Sequence, residues 1–287
     1  MGVAAIVRRR ISVVATLIVI LAFVPTHAIA QVEAGRGLRL YVLDGGTLVN
    51  PDPSWANVTL AEIKGYTSIP VPAYLIVHPE GVLLWDTGLG DRLRGLADAQ
   101  LQRGPWTQVV TTTLRDQLAA IGYRPADIDY LALSHTHFDH AGNANDFVSA
   151  TWIVQQAELD SVDFANAAQW GFMSALRNSD KRIVNGNHDV FGDGSVILLS
   201  TPGHTPGHQS IYIDLAETGP IVLSGDLYHL EAHRRLARIR LTDFDRAMTA
   251  ASRAAVDRRL AETGAELWIQ HELMLWATLT KSPGFYE

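Results

Sequence analysis

The chain contains no cysteine, and that absence excludes a good deal. Disulfides are ruled out, and so are thiolate metal sites. Any bound metal must be held by histidine, aspartate or glutamate. A second absence is of linkers: no long Pro/Ser-rich or low-complexity tract interrupts residues 31–287, and no repeat of solenoid period is visible. One domain over 31–287 is the simplest reading. A third absence is of basic excess, since 23 Lys and Arg face 30 Asp and Glu for a net charge of −7. Nucleic-acid binding depends on neutralising phosphates, and an acidic chain is poorly suited to it. The one basic run, His233 to Arg240, reads as a solvated face.

The first thirty residues stand apart. Arg8, Arg9 and Arg10 precede an apolar run from Ile11 to Val24, followed by Pro25 and the small-residue site Ala28-Ile29-Ala30. A charged start, a short apolar stretch and an A-x-A ending predict a secretory signal peptide over 1–30. The apolar run is short for a membrane span. Cleavage removes three Lys and Arg and no acid, leaving 20 against 30, a net charge of −10. The expected location is periplasmic or secreted, with no stable membrane association after cleavage.

Periodicity predicts strands at 38–43, 71–78, 82–85, 130–134, 151–154, 195–200, 210–213, 220–223 and 267–270. Asp44-Gly45-Gly46 reads as a turn ending the first. Helical spacing appears at 111–121, 155–162 and 243–262. The last helix is expected to be capped by Thr242, to face inward through Phe244, Met248, Ala251, Ala255 and Leu260, and to end at Gly264. Residues 163–190 show no clear pattern. The order of strand pairs and helices predicts a layered α/β architecture, with two sheets between helices.

The chemistry gathers where predicted strands end. His135-Thr136-His137-Phe138-Asp139-His140 follows the strand at 130–134. Three imidazoles and a carboxylate within six residues are ligands that zinc and similar divalent ions prefer, and a packed core has no use for them. Other strands run into Thr201-Pro202-Gly203-His204-Thr205-Pro206-Gly207-His208, Ser224-Gly225-Asp226 and His271. Loops held by a rigid sheet are where α/β proteins build sites. His135 and His137, two residues apart, can point the same way. Of His204 and His208, one suits a ligand and the other a structural hydrogen-bonding role.

These motifs together resemble the metallo-β-lactamase superfamily. The six residues at 135–140 match its HxHxDH signature. Asp86-Thr87-Gly88, the TPGHTPGH loop, Ser224-Gly225-Asp226 and the late His271 match in order, over about residues 37–272. The resemblance implies a four-layer αββα sandwich and two divalent metal ions, most naturally zinc. It implies His135, His137 and His204 on the first ion, Asp139, His140 and His271 on the second, and Asp226 bridging them. Asp86 would support the site without binding metal. Such a centre lowers the pKa of a bridging water to give hydroxide, which attacks an sp² carbonyl. Asp139 would also shuttle the proton. The absence of a Ser/His/Asp triad or a cysteine nucleophile is then no obstacle.

Finer likeness points to the N-acyl-homoserine lactonases, enzymes that open lactone signals in quorum quenching. It is carried by Pro70 to Ile76 with Trp85 to Gly88, by His137 to Asn143 with Ile153 to Glu158, and by Thr201 to Ser210 with Gly219 to Leu223. Two departures stand out. Where those lactonases carry a lactone-contacting tyrosine three residues after the bridging Asp, this chain has His229, with Tyr228 beside it; both are candidate catalytic residues. The last metal His is followed by Glu272 rather than Asp. An exported metallo-β-lactamase lacking cysteine ligands shares the same ligand pattern and is the alternative. A non-catalytic metal-binding protein is the reading from a different class, and it would be expected to lack a ligand. The expected partner is a small lactone or lactam, with homodimerisation left open. Trp106, Trp152, Trp170, Trp268 and Trp276 divide between core and acyl pocket, with core favoured. Residues 91–110 and 163–190 are the expected substrate loops.

Overall fold

The computed structural model describes residues 1–2, 37–97 and 101–287. The leader read at 1–30 lies outside the described residues apart from its first two positions.

Alternating apolar residues decide the layers. Strands β1 (Arg39–Val49), β2 (Ser68–His78) and β3 (Gly81–Trp85) pair antiparallel in sequence. Leu40, Val42, Tyr74, Ile76, Leu83 and Trp85 fall on one face, while Tyr41, Leu43, Ala73, Leu75 and Leu84 fall on the other, because successive strand side chains point oppositely. The sheet is completed by β4 (Gln102–Arg103), β5 (Trp106–Val109), β6 (Tyr130–Ala132), β7 (Thr151–Gln155) and β8 (Lys181–Val184), in the order β4-β5-β1-β2-β3-β6-β7-β8. A second sheet runs β13-β12-β11-β10-β9, from β9 (His188–Asp189), β10 (Val196–Ser200), β11 (Gln209–Leu215), β12 (Gly219–Leu223) and β13 (Glu266–Trp268).

Val196, Leu198, Ile211, Ile213, Ile221 and Leu223 of the second sheet join the first face of the large sheet in one buried cluster. Each fully buried large aliphatic side chain there contributes about 1.5–3 kcal/mol. On the outer face of the large sheet lie Leu114 and Leu118 of α1 (Leu114–Ala120), Trp170 of α3 (Ala167–Trp170), and Met173 and Leu176 of the following 3₁₀ turns. On the outer face of the smaller sheet, Val256 and Leu260 of α5 (Arg246–Thr263) meet Leu199, Tyr212 and Val222. The order helix, sheet, sheet, helix is the expected αββα sandwich.

Topology then brings the motif loops to one edge. β3, β6 and β7 are mutually parallel, so the residues after Trp85, Ala132 and Gln155 emerge at the same end. In the second sheet β12 and β13 are also parallel, and their ends lead to Asp226 and His271. β10 and β11 are antiparallel, and the loop 201–208 joins them.

The structure corrects several elements. Asp44-Gly45-Gly46 does not turn the chain; it is a bulge within an eleven-residue β1, where pairing shifts between Asp44 and Thr47. Asp245, not Thr242, caps α5 by accepting from the Ala247 and Met248 amides. The inward residues of α5 are Thr249, Ser252, Arg253, Val256 and Leu260, while Phe244 is 65% exposed and Met248 37%. Starting the helix at Arg246 places it by its loop contacts rather than its hydropathy. Gly264 does end it, at φ 72°. Residues 163–190 contain α3, the 3₁₀ turns, β8 and β9. Two further short helices, α2 (Gln156–Asp160) and α4 (Glu231–Arg235), flank motif loops, and α6 (Leu273–Thr278) follows His271. No helix among the described residues is long and apolar enough to cross a membrane.

Candidate metal centre

The loops meet through glycines that allow backbone to touch backbone. A Cβ on Gly88 would lie 2.5 Å from the Gly45 Cα, and one on Gly142 would lie 2.2 Å from the Leu89 carbonyl carbon. Gly88, at φ +67°, thus lets the Asp86-Thr87-Gly88 turn seat against the β1 bulge. The Gly88 carbonyl accepts from the Gly142 amide at 2.8 Å, locking that turn to the end of the HxHxDH loop.

The potential ligands fall into two groups. His135, His137, His204 and Asp226 form one, and Asp139, His140 and His271 the other. Within each, one donor atom per residue lies within 4.8 Å of the rest. His137 is the least buried; His135 and His140 are fully enclosed. The second ring nitrogens show how the imidazoles are aimed. Nδ1 of His140 meets Asp86 Oδ2 at 2.9 Å, Nδ1 of His204 meets Asp243 Oδ1 at 3.1 Å, Nδ1 of His271 meets the Pro70 carbonyl at 2.7 Å, and Nδ1 of His135 meets Ser134 Oγ at 3.1 Å. An outward Nδ1–H leaves the Nε2 lone pair facing inward, the arrangement a metal-binding histidine needs. Asp226 Oδ1 is buried with no hydrogen-bond partner, yet lies 3.0 Å from His271 Nε2 and 3.3 Å from His140 Nε2. Lone-pair atoms converging on shared points fit divalent cations and fit little else.

The charges agree. Burial opposes the charged forms, but Asp226, Asp139 and Asp86 outweigh it and hold His140 well above the ordinary imidazole range. Burial likewise opposes ionisation of Asp226, and His229, His140, His271 and His204 outweigh it, holding that carboxyl well below its usual range.

A surrounding layer holds these ligands. Asp86 accepts from the Ser134 amide (2.6 Å), Ser134 Oγ (2.9 Å) and Gln270 Nε2 (2.7 Å), so it lies behind His140. His208 stands behind Asp226, whose amide donates to His208 Nε2 at 2.9 Å. Gly225, at φ +52°, permits this approach: its Cβ would meet that nitrogen at 2.8 Å. Burial pushes His208 down to about 3, keeping it neutral and able to accept.

Sequence reasoning missed four contributors. Glu158 is buried and accepts from the Thr136 amide and hydroxyl, the Thr205 hydroxyl and the Gly207 amide, tying the two histidine loops together. Asp243 orients His204, and its only sequence signal was a place near the helix start. Trp55 and Arg240 line a pocket of about 220 Å³ over the centre, with Leu48, Ile69, Trp106 and Phe138. Nothing in the spacing marked Trp55.

Three expectations need correction. Tyr228 faces away: it packs with Leu199, Val256 and Ile269, under the Arg253 guanidinium 4.2 Å from its ring. Its backbone is extended, so neighbouring side chains diverge, and His229 is the one that turns inward, with Nε2 2.8 Å from Asp226 Oδ2. The run 233–240 is not simply a solvated face. His233 is buried against the Ala56 carbonyl, Arg238 forks onto Glu62, and Arg240 enters the pocket. Residues 163–190 do not line the pocket over the centre. Ala167, Ala168, Gly171 and Phe172 line a larger polar hollow of about 440 Å³ with Arg92, Arg103 and Asn143. Among the five tryptophans weighed above, Trp106 alone lines the pocket, while Trp152 and Trp268 are core.

Residues 66–267 match the metallo-beta-lactamase superfamily. The chain belongs to that superfamily. Within it, this metallo-β-lactamase-fold chain is 30% identical over 283 residues to the N-acyl homoserine lactonase AttM of Azorhizobium caulinodans, covering 87% of this chain and 99% of that one. It is 34% identical over 193 residues to an N-acyl homoserine lactonase of a Bacillus species, covering 66% and 75%. Among solved structures, an N-acyl homoserine lactone hydrolase with N-hexanoyl-L-homoserine at its catalytic metal centre superposes with a TM-score of 0.73 at 25% identity, covering 86% of this chain and 98% of that one.

Proposed function

We propose that this protein hydrolyses the ring ester of N-acyl homoserine lactones at a two-metal centre formed by His135, His137, His204, Asp226, Asp139, His140 and His271. Kinship with the lactonases makes the chain a metal-dependent hydrolase. The observation that carries the finer reading is the convergence of inward-facing histidine nitrogens and carboxylates beneath a small apolar pocket.

Two divalent ions, zinc in this reading, would activate water near neutral pH and polarise the ring carbonyl. The protein's own groups do the rest. Leu48, Ile69, Trp55, Trp106 and Phe138 exclude bulk water and hold the apolar part of the substrate. Asp139, on the pocket floor, takes the proton released by the attacking water and returns it to the ring oxygen as the acyl carbon–oxygen bond breaks. The product is the ring-opened hydroxy acid. His208, Asp243 and Asp86 keep the ligands aimed throughout. The leader at 1–30 supports export, so that the enzyme would meet its lactone outside the cytoplasm; the N-terminal sequence of the protein recovered from its cells tests that point.

The decisive experiment is a substrate panel on purified protein with and without chelator: an N-acyl homoserine lactone series, nitrocefin and a glutathione thioester. Chelator-sensitive lactone turnover exceeding the others is expected. Faster turnover of the β-lactam would overturn the reading. Full activity in His204→Ala or Asp226→Ala would overturn the two-metal centre.

A further inference from the structure

We infer that Arg240 determines specificity in this pocket by donating to the amide carbonyl of an N-acyl substituent on the ring. This rests on the lactonase reading and names what that site recognises beyond the ring.

Arg240 is half-buried and is the one cation lining the pocket among the described residues. Its guanidinium lies 5.4 Å from the Trp55 ring centroid, and Nε donates to the Trp55 carbonyl at 3.2 Å. Nη1 donates to His229 Nε2 at 2.6 Å. A guanidinium only donates, so His229 Nε2 is the acceptor of this bond. The same Nε2 lies 2.8 Å from Asp226 Oδ2. Arg240 is therefore held one nitrogen away from the metal-ligand cluster.

These bonds engage Nε and Nη1 and leave Nη2. Among the described residues Nη2 meets no acceptor, and no carboxylate forms a direct ion pair with Arg240. A rigidly placed donor with unused N–H groups, in a pocket it shares with Leu48, Ile69, Trp106 and Phe138, is a recognition element. What it meets is set by reach. A ring whose carbonyl sits over the centre puts the atoms two to four bonds beyond that carbon beside Arg240. In an N-acyl homoserine lactone those atoms are the amide. Its carbonyl oxygen is an acceptor, and the acyl tail beyond it can lie along Trp55 and Trp106, whose rings meet edge to face at 4.8 Å. Arg240 and Trp55 thus form one device: the guanidinium lies over the indole ring, and the Trp55 backbone carbonyl fixes its orientation.

The test compares wild type, Arg240→Met and Arg240→Lys on N-hexanoyl homoserine lactone and on γ-decalactone, a lactone with no amide. Metal content is measured on each protein. For Arg240→Met, kcat/KM on the N-acyl lactone should fall about 10- to 100-fold, chiefly through KM, and at least about tenfold more than on the plain lactone. Arg240→Lys should recover part of the loss. Equal losses on both lactones at unchanged metal content would overturn the proposal and leave the lactonase reading standing. A wild-type protein that opens neither lactone would overturn both. A wild type preferring the carboxylate-bearing nitrocefin, with that preference lost in Arg240→Met, would overturn the carbonyl assignment.

Discussion

Tyr228 and His229 are neighbours in sequence and lie on opposite sides of the strand-like turn after Asp226. The tyrosine is packed beneath Arg253; the histidine touches Asp226 and receives a hydrogen bond from Arg240. Their substitutions should separate accordingly. Tyr228→Phe keeps the packing and should leave kcat/KM on N-hexanoyl homoserine lactone within about twofold. His229→Ala removes a contact to a metal-ligand carboxylate and the acceptor that locks Arg240, and should lower kcat/KM by roughly 10- to 100-fold. Steady-state kinetics on the two variants checks both. At this scale hydropathy is a poor guide. Glu158 is enclosed as completely as a core leucine, because four donors from two loops surround its carboxylate.

The loops around the centre are held in place by close backbone approach and by polar ties. Gly142 packs onto the Leu89 carbonyl, so Gly142→Ala should cost about 3 kcal/mol of stability and lower Tm by roughly 5–10 °C, with metal retention reduced as the His140 loop shifts. Thermal unfolding and metal analysis would show it. Helix α5 turns polar residues inward for the same reason. Ser252 donates to the Pro202 carbonyl at 2.7 Å, and Arg253 donates to the Leu227 and Arg238 carbonyls, so one helix face clamps the His204 loop, the Asp226 turn and the arm that carries Arg240. That arm is also tied to the loop carrying Trp55. Arg238 forks onto Glu62 with both bonds at 2.7 Å and lowers the Glu62 carboxyl to about 2. Because the folded value is depressed, this contribution is fully present above the unfolded glutamate value of about 4.3 and is lost as pH falls from there toward about 2. Wild type should therefore lose stability relative to Glu62→Gln across that window, and the two should run parallel above about pH 5.5. Denaturant midpoints at a series of pH values measure the difference.

For the molecule as a whole, the centre sits where two sheets end together, so its ligands come from segments far apart in the chain. Cations held there would bridge both sheets and stabilise the folded state alone. At a free metal concentration a thousandfold above Kd, that linkage contributes about 4 kcal/mol. Removing metal with a chelator should lower Tm by roughly 8–16 °C and abolish turnover, and added zinc should restore both. A Tm unmoved by chelation would count against a centre joining the sheets.

By itself the sequence determined the layers and singled out the side chains that the structure gathers into two groups able to hold metal. Period-two alternation sets which strand residues face the second sheet, and HxHxDH, TPGH and SGD mark strand ends because glycine and imidazole have few other reasons to stand there. What it could not determine was direction. Tyr228 and His229 were equal candidates until the extended backbone turned one inward and one out. The TPGH loop offered two histidines; in the structure His204 faces the cluster and His208 stands behind Asp226. Helix α5 followed its hydropathy least, since Thr249, Ser252 and Arg253 are buried by what they bind rather than by what they avoid. Trp55 and Arg240 lie in segments without motif or period, and Asp243 at the edge of one whose helical spacing says nothing of a site. Only the packing of those segments against the ends of both sheets brings them over the metal centre.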